Sequence, residues 1–194
     1  MSQATRKESI FKKALLLLNI RYSQIKENMT EGDSPVELEY CEEFFDAAVT
    51  YCASLRYWSF LISHEEFSPG DRVEGSYRGY DYAYPLPYDM LKPYIVDGEF
   101  NVSFAIDSEN IYFDHEVSNI DYTIDGFSQM SNAPLTFDSL IAARLAVELA
   151  PCLAPDSNIV QRCAQNFQLA LASALEAEVS KRREETPRPE EYII

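Results

Sequence analysis

Two histidines, four cysteines and 32 acidic side chains are the residues of this 194-residue chain with the means to do chemistry. Catalysis needs such groups gathered where their environments tune them. His64 follows the expected end of a helix and His115 falls in a strand–turn region, so both read as surface or boundary residues. Cys41 and Cys52 are spaced by eleven, as are Cys152 and Cys163. Eleven residues is about three helical turns, so one helix would carry Cys41 and Cys52 on one face. Pro155 breaks the second pair. With no Cys-x-x-Cys, the thiols read as core residues and not as zinc ligands; Cys152 is expected to be nearly buried and the other three buried. No Gly-rich phosphate loop, Gly-x-Ser-x-Gly or His-Glu-x-x-His occurs. Asp107-Ser108-Glu109 offers oxygens without calcium-loop spacing and reads as a hairpin turn. Acid pairs such as Glu42-Glu43 and Glu65-Glu66 read as solvated faces. The expectation is a non-enzyme with no catalytic residue, cofactor or metal.

Acids outnumber bases 32 to 16, for a formal net charge of −16 and a pI near 4.4. Gripping nucleic acid by its phosphates needs Lys and Arg, so the balance argues against that mode. Passing close to DNA is not, because an acidic wall repels a phosphate backbone. Residues 27–125 hold 22 of the 32 acids and only four bases (Arg56, Arg72, Arg78, Lys92), a net −18. The flanks balance, with 12 bases and 10 acids. This concentration suits either solubility or a surface that faces DNA without adhering. No apolar run approaches the roughly 20 residues of a membrane span. Ala14–Leu18 follows Lys12 and Lys13, as at the start of a signal peptide, but no small-residue cleavage site follows. It reads as an amphipathic helix of a cytosolic product.

The elements that must position these residues follow from periodicity. A first helix is expected from Thr5 to Glu27, with Ile10, Phe11, Ala14, Leu15, Leu17, Leu18 and Ile25 at helical spacing. Ser34, Pro35 and Glu37 spell the start of a second, whose seam is Leu38, Cys41, Phe45, Ala48, Cys52 and Leu55. Residues 68–84 read as a long Tyr-rich loop. Tyr84-Pro85-Leu86-Pro87-Tyr88-Asp89 reads as extended. Phe100, Val102, Phe104 and Ile106 alternate as in a half-buried strand, and Ile111–Phe113 and Ile120–Ile124 read as short strands. A third helix runs from Phe137 to a stop at Pro151 and Pro155. A fourth, capped by Asp156 or Ser157, carries Val160, Cys163, Phe167, Ala170, Leu171 and Ala174, with Lys181, Arg182 and Arg183 in its last turn. The fold class is therefore α+β: an antiparallel four-helix bundle (1–64 and 131–183) with a small β-rich insertion between helices two and three (65–130), then an extended arm (184–194).

Three stretches in order resemble one family. Ala14-Leu15-Leu16-Leu17-Leu18-Asn19-Ile20 is like an opening "ALxxIG" helix, though without its glycine. Leu55-Arg56-Tyr57-Trp58-Ser59-Phe60 is like an "xPWxFA" element, with Tyr57 in the proline's place. Tyr82-Ala83-Tyr84-Pro85-Leu86-Pro87-Tyr88-Asp89-Met90-Leu91 is close to a "YayxLPxDxL" signature. The chain thus resembles the head–tail adaptors of short-tailed bacteriophages, the tail tubular protein A family. The resemblance marks Trp58, Phe60, Tyr84, Pro85, Pro87 and Asp89 as structural motif positions. It implies a virion protein made in the host cytoplasm and placed at the head–tail junction. There it would form a ring, usually dodecameric, that joins the portal protein to the tail nozzle or tube. Genomic DNA would pass through without specific binding, and no membrane is involved.

Tyr192, Ile193 and Ile194, with Arg182 and Arg183 before them, are the candidate partner interface. Pro187 and Pro189 forbid helix there, and an apolar trio would suit docking on the portal or a neighbouring subunit. The alternative function is an acidic DNA mimic, or another interaction protein, binding a basic partner.

Overall fold

The first helix ends where Asn19 turns left-handed. In the computed structural model, which describes residues 3–27, 35–68 and 72–185, α1 spans Gln3–Leu17 and α2 spans Tyr22–Glu27. The single helix expected over Thr5–Glu27 is therefore two. Asn19 has φ 64°. Its N–H donates to the Leu16 carbonyl at 3.0 Å and that of Ile20 to the Leu15 carbonyl at 2.9 Å. This pair of bonds is a Schellman cap, with Asn in the position glycine usually fills.

The remaining helices are α3 (Val36–Ser54), α4 (Leu135–Leu153) and α5 (Ser157–Glu185). The chain divides into a helical unit, Met1–Ala48 with Asn132–Ile194, and a β unit, Val49–Ser131. The first boundary falls inside α3. On that helix Cys41, Phe45, Ala48 and Cys52 are buried, while Glu42, Glu43 and Asp46 are exposed. Its acids thus form a solvated face. Ser34, the expected cap, lies outside the described residues.

Within the helical unit, α4 is the central element and packs against both α1 and α5. Ten of its residues are buried, among them Phe137, Leu140, Ile141, Leu145 and Leu149. That is more than one amphipathic stripe supplies, because two neighbours cover it. Helix α3 meets α1 through side chains, with Phe11 edge-on to Phe45 at 5.4 Å. The expected antiparallel four-helix bundle with a β insertion is therefore corrected. The described residues hold five helices and two antiparallel sheets. The helices do not share one four-way seam: α2 is a short separate piece, α4 is flanked by α1 and α5, and α3 runs on into the β unit. Helical periodicity showed which faces are apolar but not which helix each face meets.

Pro151 does not stop α4, which runs through it to Leu153. A proline in the last turn removes only one intrahelical bond. Pro155 ends the helix by disfavouring helical geometry at Ala154 (φ −146°, ψ 68°). Asp156 then caps α5, its carboxylate accepting the Asn158 N–H at 2.7 Å. Cys152, expected to be nearly buried, is exposed, whereas Cys41, Cys52 and Cys163 are buried. Because α4 continues past Pro151, the Cys152 side chain turns outward on the final turn.

The β unit contains β1 (Ile62–Glu66), β2 (Tyr82–Pro85), β3 (Met90–Val96), β4 (Glu99–Phe100), β5 (Phe104–Ile106), β6 (Asn110–Phe113) and β7 (Asn119–Ile124). One sheet has the order β1-β7-β3-β4 and the other β2-β6-β5. The strand expected over Phe100–Ile106 is instead β4 and β5, which belong to different sheets. Phe100, Phe104 and Ile106 are exposed, and Ala105 is the buried residue. The expected single half-buried strand is thus corrected: β4 is exposed at both residues, and in β5 the buried face is that of Ala105 and not that of Phe104 and Ile106. The expected loop over 68–84 holds a tight hairpin: Tyr77 and Tyr80 exchange both backbone hydrogen bonds at 3.0 Å across Arg78-Gly79. Both turn residues have positive φ, 54° and 89°, the geometry that favours glycine at the second position. Asp97-Gly98, joining β3 to β4, repeats it (φ 48° and 82°).

Candidate interaction surfaces

Trp58 follows α3 and leads into a 3-10 turn, Ser59–Leu61. It is wholly buried, and its indole N–H donates to the Cys52 carbonyl at 3.0 Å. This bond satisfies one of the carbonyls left open at the end of a helix. Phe60 is half-buried, its ring 5.8 Å from the indole. The pair anchors the end of α3 within the β unit.

Tyr84 and Pro85, in β2, and Pro87 and Asp89, just after it, lie where the chain first passes from the β2 sheet to the β3 sheet; the step from β6 to β7 is the second such passage. Tyr84 is buried, stacked on Phe67 at 4.6 Å, and its hydroxyl accepts the Val117 N–H at 2.9 Å. Pro85 is exposed at the end of β2, opposite Asn110. The Pro87 carbonyl accepts the Met90 N–H at 3.1 Å, which closes the turn into β3. Asp89 works twice: its carboxylate accepts the Tyr122 hydroxyl at 3.0 Å, and its carbonyl accepts the Asp125 N–H at 2.7 Å. Burial, foremost, raises the Tyr122 pKa, and the Asp89 carboxylate adds to it. A phenol held protonated is a hydrogen-bond donor, so the contact fastens the turn to β7. These four residues fix the crossing between sheets.

The titratable groups are dispersed through the β unit. His64 on β1 faces Asp121 on β7 in register, Nδ1 to Oδ1 2.6 Å. Asp107 turns β5 into β6, its carboxylate accepting the Glu109 and Asn110 N–H groups and the Tyr112 hydroxyl. The Tyr112 bond first, then the two backbone bonds, hold its pKa below the usual value. This is the hairpin turn expected there. Among the described residues no three His, Cys, Asp or Glu side chains are grouped to hold a metal ion. Of the tyrosines in the stretch 68–84, Tyr77 and Tyr80 pack against Ala83, Ala105 and Tyr112, and Tyr84 is interior.

Of the expected partner interface, Arg182 and Arg183 belong to the last turns of α5, but their side chains lie outside the described residues. So do Tyr192, Ile193, Ile194 and all of 186–194. Glu184 and Glu185, assigned to the arm, are helical. Sequence reading missed the aliphatic residues most open to solvent among the described residues: Leu16, Leu135 and Leu169 are 67%, 72% and 70% exposed. One signal was available for Leu16. Five successive apolar residues at Ala14–Leu18 cannot all point to one side of a helix.

No protein-family model matches the chain, and no curated protein sequence matches it. Among the described residues no helix is long and apolar enough to cross a membrane.

Proposed function

We propose that this protein is a structural head–tail adaptor of a short-tailed phage. It would form a ring, dodecameric by resemblance, between the portal and the tail nozzle or tube, and continue the DNA channel. The observation that carries the reading is the order of its three motifs, and the third motif has a physical role to match. Tyr84 and Asp89 hold one crossing between the two sheets through their bonds to Val117, Tyr122 and Asp125, a role of shape. The charge supports the same reading: the β unit holds 14 acids and four bases, net −10, which would keep passing DNA from adhering.

Size-exclusion chromatography of the purified protein with portal tests this. Co-elution as a defined complex is the expected result. Failure to co-elute at every ionic strength, combined with binding to a basic protein, would instead select the acidic DNA mimic. Labelling of virions at the head–tail junction in electron micrographs tests the location.

A further inference from the structure

Leu16 stands between two clefts of the helical unit. One, of about 310 Å³, lies among α1, α4 and α5; it is floored by Ala142, Ala143 and Ala170 and walled by Leu16 and Leu17. The other lies beyond Leu16 and is lined by Ile20 and Tyr22. Leu135 precedes Ser139, a residue of the first cleft, by one turn of α4, and Leu169 follows Asn166, another, by one turn of α5. Apolar surface of this kind, gathered around a concavity, marks an interaction site. Its rim carries Lys13 at the first cleft and Arg21 at the second, where Lys12 is paired with Glu8 at 3.3 Å.

The β unit presents the opposite combination. Strand β5 is the edge of its sheet, and Phe104 and Ile106 project from it 41% and 37% exposed. Asp107 and Glu109 follow directly, in a unit of net charge −10. Each surface matches the other in both apolar character and charge, and neither matches itself. Cleft against cleft would set Lys13 near its own copy, and edge against edge would bring together two acidic turns. Like charges at a contact suppress pairing, and opposite charges fix it.

We propose that this chain associates head to tail with a second copy of itself, the basic-rimmed cleft of one receiving Phe104 and Ile106 of the other. A contact between two different patches is heterologous and can repeat from copy to copy. It supplies the homo-oligomeric contact of the adaptor reading but is tested without portal, so either can fail alone. The net charge of −16 per copy opposes association, so the contact is weak and shows at high protein concentration.

The test is sedimentation velocity over a concentration series of the intact chain, of Leu16→Glu and of Phe104→Glu. Both substitutions are at exposed sites, and circular dichroism checks that each variant folds. The wild type should associate with rising concentration, and each variant alone should do so at least about tenfold more weakly, a loss of ~1.4 kcal/mol. An equimolar mixture of the two variants keeps one good cleft and one good edge, so it should form a 1:1 dimer and stop there. A wild type that stays monomeric at every concentration overturns the proposal. So does loss of association in Phe104→Glu but not Leu16→Glu, which would mean edge-to-edge pairing, and so does a mixture that fails to dimerise.

Discussion

Helix α4 and strand β7 are each the middle element of their unit, yet different chemistry holds them. The helix is flanked by α1 and α5 and contributes mostly apolar volume, with Leu140, Ile141, Leu145, Ala146 and Leu149 all at zero exposure. Its buried charge, Asp138, is taken up by Arg6 of α1, Nε 2.9 Å and Nη2 2.5 Å from Oδ1. The strand is flanked by β1 and β3 and is fastened by side-chain hydrogen bonds as well as ladders: Tyr122 to Asp89 and His64 to Asp121. Further β-unit bonds follow the same habit, including Thr50 to Asp125 at 2.8 Å and Tyr84 to the Val117 amide. Shape fixes the helical unit, and polar pairing fixes register and crossings in the β unit. Substitutions that alter volume should therefore hurt the first most, and those that alter hydrogen bonding or protonation should show in the second.

The largest effect expected is an exception inside the helical unit. Replacing Asp138 with Ala takes from the Arg6 guanidinium its paired carboxylate in a nearly dry site, the two side chains being 11% and 6% exposed. Removing one member of such a pair costs about 3–5 kcal/mol, whereas replacing both with apolar residues of similar volume is often neutral. Urea unfolding of Asp138→Ala and of Arg6→Met/Asp138→Leu should show a large loss in the first and a much smaller one in the second. Equal losses would mean that the surrounding volume, and not the uncompensated charge, dominates.

Next comes Leu145→Ala, which removes volume alone and should cost about 2–5 kcal/mol by the same measurement. Its β-unit counterpart is Tyr84→Phe, which keeps the ring and leaves the buried Val117 N–H without its acceptor. That should cost about 1–3 kcal/mol. A Tyr84→Phe loss larger than that of Leu145→Ala would invert the comparison.

The same contrast explains what sequence could convey. The α3 seam was legible because burial of Cys41, Phe45, Ala48 and Cys52 repeats at helical spacing, a local signal. The turn at Asp107 was legible because its carboxylate bonds to its own next residues. Which helices α4 meets was not legible, since Leu140 and Leu145 look alike whichever neighbour covers them. The faces of β5 were misread because alternation records that two faces differ, and an exposed Phe104 alternates as well as a buried one. The hairpins at Arg78-Gly79 and Asp97-Gly98 were passed over although their glycines signal them. The cleft among α1, α4 and α5 needs three helices at once, and no single stretch encodes it.

Thiol chemistry sharpens the comparison within the helices. Burial, with Glu42 and Glu37 adding to it, pushes the Cys41 thiol up to about 12. Burial raises Cys163 as well. Neither is a thiolate at neutral pH, and reagents have no path to them. Cys152 is exposed. A thiol reagent should modify one cysteine quickly in the folded protein, at Cys152 by peptide mapping, and the other three only on unfolding. Rapid labelling of Cys41 would show that α3 opens easily.

The smallest effect expected is a protonation effect in the β unit. The hydrogen bond to Asp121 is the largest cause raising the His64 pKa above its ordinary 6.5; desolvation, the next largest, opposes it, and the charges of Asp121 and Glu66 assist. A raised value in the fold means that the imidazolium is favoured there. The stability it contributes is fully present below pH 6.5 and fades as pH rises through the folded value. Asp107 acts in the other window: its pKa is lowered from 3.8, so its contribution is present above that value and disappears as pH falls through the folded one. Between the two, the β1–β7 pair and the β5–β6 turn are both at full strength. His64 is solvent-exposed, so its pair is screened by salt and shifts the melting temperature only slightly. An NMR titration reads it more directly. The His64 imidazole should titrate above 6.5, and Asp121→Asn should return it towards that value. A His64 midpoint unmoved by Asp121→Asn would detach the pair from the register of β1 on β7 and leave the ladder alone to hold that edge.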